Sequence, residues 1–266
     1  MLVRSNDADI FYIVQGSGAP VVLLHPFPAN HLFWLPVVEQ LSSRYKFIVP
    51  DLRGLGGSSP GEFPATMEKH ADDIRRVCDD VGADKPVFVG VSIGGYILFE
   101  FWRRSRERMG AIVFSNTRPG ADSDETRKGR VEAAEEVQQR GPEWFIDAQI
   151  SKLIGETTRR NRPDVVDAAK KIMMVSTAKG IATNQLGMAV RPDSTATLAM
   201  IQLPTLFIGG TDDTITPPDE IDRMQQAVRG SEKRILTGAG HFAAFERPEE
   251  YAAVLRSFLG SVEHTG

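Results

Sequence analysis

The chain has 266 residues, 41% hydrophobic and 25% charged, which is enough to bury one large core and ordinary for a globular protein. Its formal charge of −4 gives no general attraction to nucleic acid or to an anionic membrane surface, so the expected partner is a small molecule. A single cysteine, Cys78, excludes an internal disulfide, and no run of ~18 apolar residues offers a membrane span.

At the N-terminus, "MLVRSNDADIFY" lacks the apolar stretch of a signal peptide, and a cytoplasmic location is the expectation. Short runs rich in branched or aromatic residues follow at 10–14, 21–24, 47–50, 87–91, 111–114, 205–208 and 233–236. Amphipathic segments at 35–41, 67–81, 218–228 and 248–259 fall between or after them. This alternation predicts an α/β fold, a mostly parallel sheet with helices on both faces. The runs at 21–24 and 87–91 are almost wholly apolar, as central strands covered on both sides require. Met67, Ala71, Ile74, Val77, Cys78 and Val81 recur at helical spacing, which places the thiol on a buried face.

Residues 120–199 read differently. "SDETRKGRVEAAEEVQQR" and "PDVVDAAKKIMMVSTAKG" are helix-like and charge-rich, with no convincing strand. The expected organisation is a core of residues 1–119 and 200–266 interrupted by a helical cap insertion at 120–199. The basic clusters at Arg103–Arg106 and Arg159–Arg160 suit the last turns of helices. The closing "SVEHTG" reads as a frayed tail.

Candidate chemistry starts at "FVGVSIGGYILFEFW". There Gly90-Val91-Ser92-Ile93-Gly94 has the G-x-S-x-G pattern, where a buried strand turns directly into an apolar helix. Such a turn holds a serine in a strained conformation, and a Cβ at 90 or 94 would crowd the crossing chain. A serine nucleophile needs a base and an orienting acid. Of five histidines, His31, His70 and His264 are expected on the surface. His241 follows the last strand pattern in "TGAGHFAAF", where loops hold functional residues. For the acid, "GGTDDTITPP" offers Asp212 and Asp213, of which Asp213 is the better placed for a turn aimed back at the strand end. An oxyanion needs two donors. Ile93, after the serine, supplies one N–H. In "LLHPFPAN" only Phe27 can supply the other, because Pro26 and Pro28 have none. His25 is expected to brace this loop. Trp34, Met188 and Phe242 are the candidate substrate-binding residues, and Met173 and Met174 are weighed against ordinary helix packing. No metal-ligand constellation is visible, and "GLGGSS" lacks the lysine and spacing of a phosphate loop.

The chain resembles the α/β-hydrolase family over nearly its whole length. It does so in "LLHPFP", "PDLRGLGGSS", "VGVSIGGY", "LFIGGTDDTITPP" and "GAGHFAAFERPEEY", in that order. Within the family it is similar to small-cap esterases and to the 3-oxoadipate enol-lactonase-like group, whose members often carry a stretch like "MAVRPDS". By that resemblance Ser92, Asp213 and His241 match the triad, and Phe27 and Ile93 the oxyanion hole. Pro26 and Leu55 depart from the usual glycine and histidine. Ser92 does not fit relatives with an aspartate nucleophile, such as haloalkane dehalogenases and epoxide hydrolases. Val91 does not fit carbon–carbon bond hydrolases. The implied activity is a cofactor-free carboxylesterase acting on small, mostly apolar esters. Lactonase and perhydrolase are alternatives with the same triad, and a ligand receptor on the same scaffold is a remoter one. Monomer and homodimer are both compatible with this reading.

Overall fold

The computed structural model describes residues 1–263. Eight strands form its sheet: β1 (Leu2–Ser5), β2 (Ala8–Gln15), β3 (Ala19–Leu24), β4 (Tyr45–Pro50), β5 (Val87–Val91), β6 (Ala111–Ser115), β7 (Thr205–Gly210) and β8 (Glu232–Leu236). Their order is β1-β2-β4-β3-β5-β6-β7-β8. β2 pairs antiparallel with β1 and β4, and every other pairing is parallel. All seven apolar runs become strands. The additional one, β1, is too short to show a pattern in sequence and is held by its register with β2, Val3 opposite Ile10.

The helices are α1 (Leu35–Leu41), α2 (Met67–Asp80), α3 (Ile93–Ser105), α4 (Asp124–Arg140), α5 (Pro142–Leu153), α6 (Glu156–Asn161), α7 (Pro163–Met173), α8 (Ala178–Ala189), α9 (Thr195–Leu198), α10 (Pro218–Ala227), α11 (Ala243–Glu246) and α12 (Pro248–Glu263). Successive residues of β5 serve opposite cores. Phe88 packs with Ile74 of α2 and Ile97 of α3, while Val87, Val89 and Val91 pack with Val38 of α1 and Leu255 of α12. Each such buried side chain contributes roughly 1.5–3 kcal/mol, which is why the central strands are apolar on both faces. Cys78 is buried, and burial pushes its thiol up to about 12, so it stays a protonated core residue.

Between β6 and β7 the chain forms only helices, α4 to α9. Hydrogen bonds clamp this segment to the rest. Asn30 Nδ2 donates to the Ile172 carbonyl (2.6 Å), Ser176 Oγ to that of Pro28 (2.9 Å) and Asn184 Nδ2 to that of Arg53 (2.9 Å). Asn184 Oδ1 also meets His70 Nε2 at 3.0 Å.

Two expectations are corrected by this packing. His70 is fully buried, because α8 covers the face of α2 that carries it. His31 is partly buried and lies 2.8 Å from the buried carboxylate of Asp51. The closing segment is also helical through Glu263, while His264 lies outside the described residues. Among the described residues no helix is long and apolar enough to cross a membrane.

Candidate active site

Ser92 stands alone between β5 and α3, with φ +55° and ψ −114°. A side chain occupies that region only where its surroundings impose it, at a cost of order 1–3 kcal/mol. Here the Ser92 N–H donates to the Ser115 carbonyl (3.0 Å), and Thr117 Oγ1 donates to the Ser92 carbonyl (2.8 Å). A Cβ on Gly90 would come 2.5 Å from the carbonyl carbon of Gly94, and one on Gly94 2.7 Å from the Leu24 carbonyl oxygen. Both glycines are therefore steric requirements of the turn.

His241 follows β8 on a buried loop, and its Nδ1 lies 2.9 Å from Asp213 Oδ2. Oδ2 also accepts from Thr216 Oγ1 (2.6 Å) and Asn116 Nδ2 (2.9 Å). Oδ1 accepts from the N–H groups of Ile215 (2.9 Å) and Thr216 (3.0 Å). Burial alone would raise the Asp213 carboxyl. The charge and hydrogen bond of His241, with the bonds from Thr216 and Asn116, outweigh burial and hold it well below the usual carboxylate range. A carboxylate accepts only, so Nδ1 carries the proton in this contact and the neutral ring is left with Nε2 as a base.

Asp212 turns the other way. Its Oδ2 accepts from the N–H of Thr157 in α6 at 2.9 Å, so the neighbouring aspartate ties the helical segment to the β7 loop. Two further residues, not singled out from sequence, position the pair. Asn116 follows β6 directly with φ +45°, a conformation that asparagine tolerates. Ser115 Oγ donates to its Oδ1 (2.9 Å), which aims Nδ2 at Asp213 and at the Gly240 carbonyl (3.2 Å). Glu246 is buried in α11. Its Oε1 accepts from Gly240 N and its Oε2 from Gly155 N, both at 3.0 Å, which joins the His241 loop to the start of α6. The sequence signals were an asparagine at a strand end and an acid five residues after His241.

Ser92 and His241 line one cavity of about 230 Å³. At ~30 Å³ per water, this has room for a small substrate. No hydrogen bond joins the two side chains in this structure, and such contacts commonly tighten only when substrate is bound. Phe27, Phe145, Leu153, Met188 and Ile215 form the apolar lining, and Arg118, Arg130 and Lys152 add charge. A wider groove of about 570 Å³ lies beyond Asp213, along α6, and contains neither Ser92 nor His241.

Of the candidate substrate contacts, Met188 reaches the cavity. Trp34 and Phe242 do not. Trp34 packs edge-on against Phe33 and Tyr251, and Phe242 against Phe33, all within the core. Met173 is likewise core, and Met174 is exposed. The Phe27 loop is braced by His25, whose Nε2 accepts from Leu52 N–H (2.9 Å) while Nδ1 faces the Pro26 carbonyl (2.9 Å). Burial lowers His25 to about 4 and so keeps the ring neutral for both bonds.

Residues 19–248 match the family described as alpha/beta hydrolase fold. A thermophilic esterase from Thermogutta terrifontis, determined with malate bound, superposes with a TM-score of 0.93 at 36% identity, covering 96% of this chain and 94% of its own. A protein of Azorhizobium caulinodans with the provisional name carbamate hydrolase is 26% identical over 98% of each chain. 3-oxoadipate enol-lactonase 1 of Acinetobacter baylyi is 25% identical over 91% of this chain and 89% of its own.

Proposed function

We propose that this chain, which belongs to the alpha/beta hydrolase fold family, hydrolyses small carboxylic esters through an acyl-enzyme on Ser92. One observation carries the reading. A serine on an imposed turn shares a small cavity with a histidine whose other ring nitrogen is committed to a buried carboxylate.

In the first half-reaction His241 Nε2 takes the hydroxyl proton as Ser92 Oγ attacks the carbonyl carbon. Asp213 stays ionised, holds the tautomer and stabilises the imidazolium. The oxyanion is received by the N–H groups of Phe27 and Ile93. Ile93, as the first residue of α3, has no intrahelical acceptor for its N–H. Each such donor is typically worth about 3 kcal/mol in the barrier. The imidazolium returns its proton to the leaving alkoxide. A water molecule, deprotonated by the same histidine, then attacks the acyl carbon and frees acid and Ser92. Residues 120–199 act as a cap over the cavity, to which Phe145, Lys152, Gln185 and Met188 contribute lining. The esterase of Thermogutta terrifontis supports the ester reading. The relative named as an enol-lactonase supports a second one, opening of a lactone by the same steps with the alcohol retained in the product.

The test is labelling with a fluorophosphonate followed by peptide mass mapping. A single adduct on Ser92 with parallel loss of ester turnover is expected. Inactivation with the adduct elsewhere, or a labelled Ser92 with turnover intact, overturns the assignment.

A further inference from the structure

Hydrolysis of a neutral ester leaves one part of the cavity unexplained. Of its fifteen lining residues three are cations, Arg118, Arg130 and Lys152, and none is aspartate or glutamate. The chain as a whole carries a net charge of −4, so this bias runs against its composition.

The arginines are built in. Asp122, fully out of solvent, receives Arg118 Nη2 at 3.0 Å, Arg130 Nε at 2.5 Å and Arg191 Nη1 at 2.5 Å. The hydrogen bonds and charges of Arg130 and Arg191 outweigh the effect of burial and keep this carboxyl ionised. Arg191 is spent on structure. It is buried, lies 4.2 Å over the Tyr96 ring, donates to the Gly120 carbonyl, and also feels the charge of Asp193. One such pair would be enough to tie the loop after β6 to the segment that follows α8. The other two guanidiniums are instead partly open and line the cavity. Three guanidiniums (Arg118, Arg130 and Arg191) thus meet two acids (Asp122 and Asp193), a surplus of one positive charge, and Lys152 on the wall of the same cavity adds another. Arg118 also hydrogen-bonds the neutral Tyr96 hydroxyl and Arg130 Nη1 the neutral amide of Gln185 (2.9 Å), so neither contact supplies a counter-charge. Guanidiniums that line a sheltered cavity with too few acids to balance them match a carboxylate, which accepts two parallel N–H bonds from a guanidinium.

We infer that the substrate is an ester or lactone bearing a second, free carboxylate, held by Arg118 and Arg130 with Lys152 adding charge, while Ser92 attacks its neutral carbonyl. This rests on the serine-hydrolase reading above and names the substrate class of that same cavity. The apolar lining then holds the short chain between the two carbonyl groups.

The experiment compares monoethyl glutarate with its neutral isostere, the ethyl ester of glutaramic acid, by proton release at fixed pH. Wild-type protein is expected to favour the acid by about tenfold or more in kcat/KM, and that ratio to fall by about tenfold in Arg118→Gln and in Arg130→Gln. Lys152→Ala, at an exposed position whose loss threatens no packing, is expected to lower it by about threefold and to weaken its dependence on salt. Equal rates for acid and amide in wild type, or variants that lower both without changing the ratio, overturn the proposal. Calorimetric titration of glutarate into wild-type, Ser92→Ala and Arg130→Gln protein separates the two readings. Binding to the first two that is lost in the third supports the anion site even if neither ester turns over, an outcome that would remove the hydrolase reading alone. Absence of glutarate binding to wild type overturns the site.

Discussion

His241 Nδ1 and Asp213 Oδ2 lie 2.9 Å apart with both side chains almost fully out of solvent, while Asp212, one residue earlier, hydrogen-bonds to α6 instead. Adjacent aspartates with opposite commitments make a sharp test. Asp213→Asn is expected to lower kcat/KM by roughly 10³–10⁴, because an amide no longer enforces the tautomer or stabilises an imidazolium. Asp212→Asn keeps a carbonyl for Thr157 N–H and is expected to stay within about threefold of wild type. Ester kinetics on both variants decide it, and equal losses would move the acid.

Ser92 pays for its position in backbone strain, so removing its side chain should separate activity from stability. Ser92→Ala abolishes turnover but keeps a Cβ at φ +55°. Ser92→Gly abolishes turnover and relieves the strain, with an expected gain over Ser92→Ala of about 1 kcal/mol, or ~2–4 °C in Tm. Calorimetry of the two inactive proteins measures the difference, and an unchanged or lower Tm for the glycine variant would contradict it.

Glu246 accepts two backbone N–H groups on separate oxygens. Glutamine has one acceptor and would point an NH₂ at the other donor, with an expected cost of about 1–3 kcal/mol in stability. Because Gly240 precedes His241, kcat should fall more than KM rises. Unchanged kcat in Glu246→Gln would limit the residue to a packing role.

Burial lowers His25 to about 4 and His70 to about 3, against about 6.5 for an unperturbed imidazole. As pH falls below ~6.5 the unfolded chain takes up these two protons and the native state does not, so stability is full above that pH and declines toward about 4. Each histidine contributes a slope of up to ~1.4 kcal/mol per pH unit in that window. Tm is expected to fall between pH 7 and 5, and less steeply in His70→Gln. A flat wild-type profile would contradict the buried neutral state.

Much of the frame was legible because its causes are local. Branched residues in short runs bounded by turns specify strands, and glycines at 90 and 94 around Ser92 specify a turn that only small neighbours permit. The order of Ser92, Asp213 and His241, each at a strand end, was readable for the same reason. Trp34 and Phe242 were misplaced because sequence adjacency to a site does not tell which way a ring points. The packing of Phe33 and Tyr251 turned both inward.

By itself, then, the sequence determined the alternation of strands and helices, the turn at Ser92 and the order in which the chemistry-bearing loops appear, since each depends on residues within a few positions of one another. Only the tertiary structure decided that Asp212 turns to α6, that Asn116 and Glu246 hold the pair of His241 and Asp213, and that Arg118, Arg130 and Lys152 line one cavity. Those relations join residues up to 124 positions apart and depend on how the loops after β6, β7 and β8 meet and how α4 packs against α5 and α8. Amphipathic periodicity shows that such helices bury a face, but not against what.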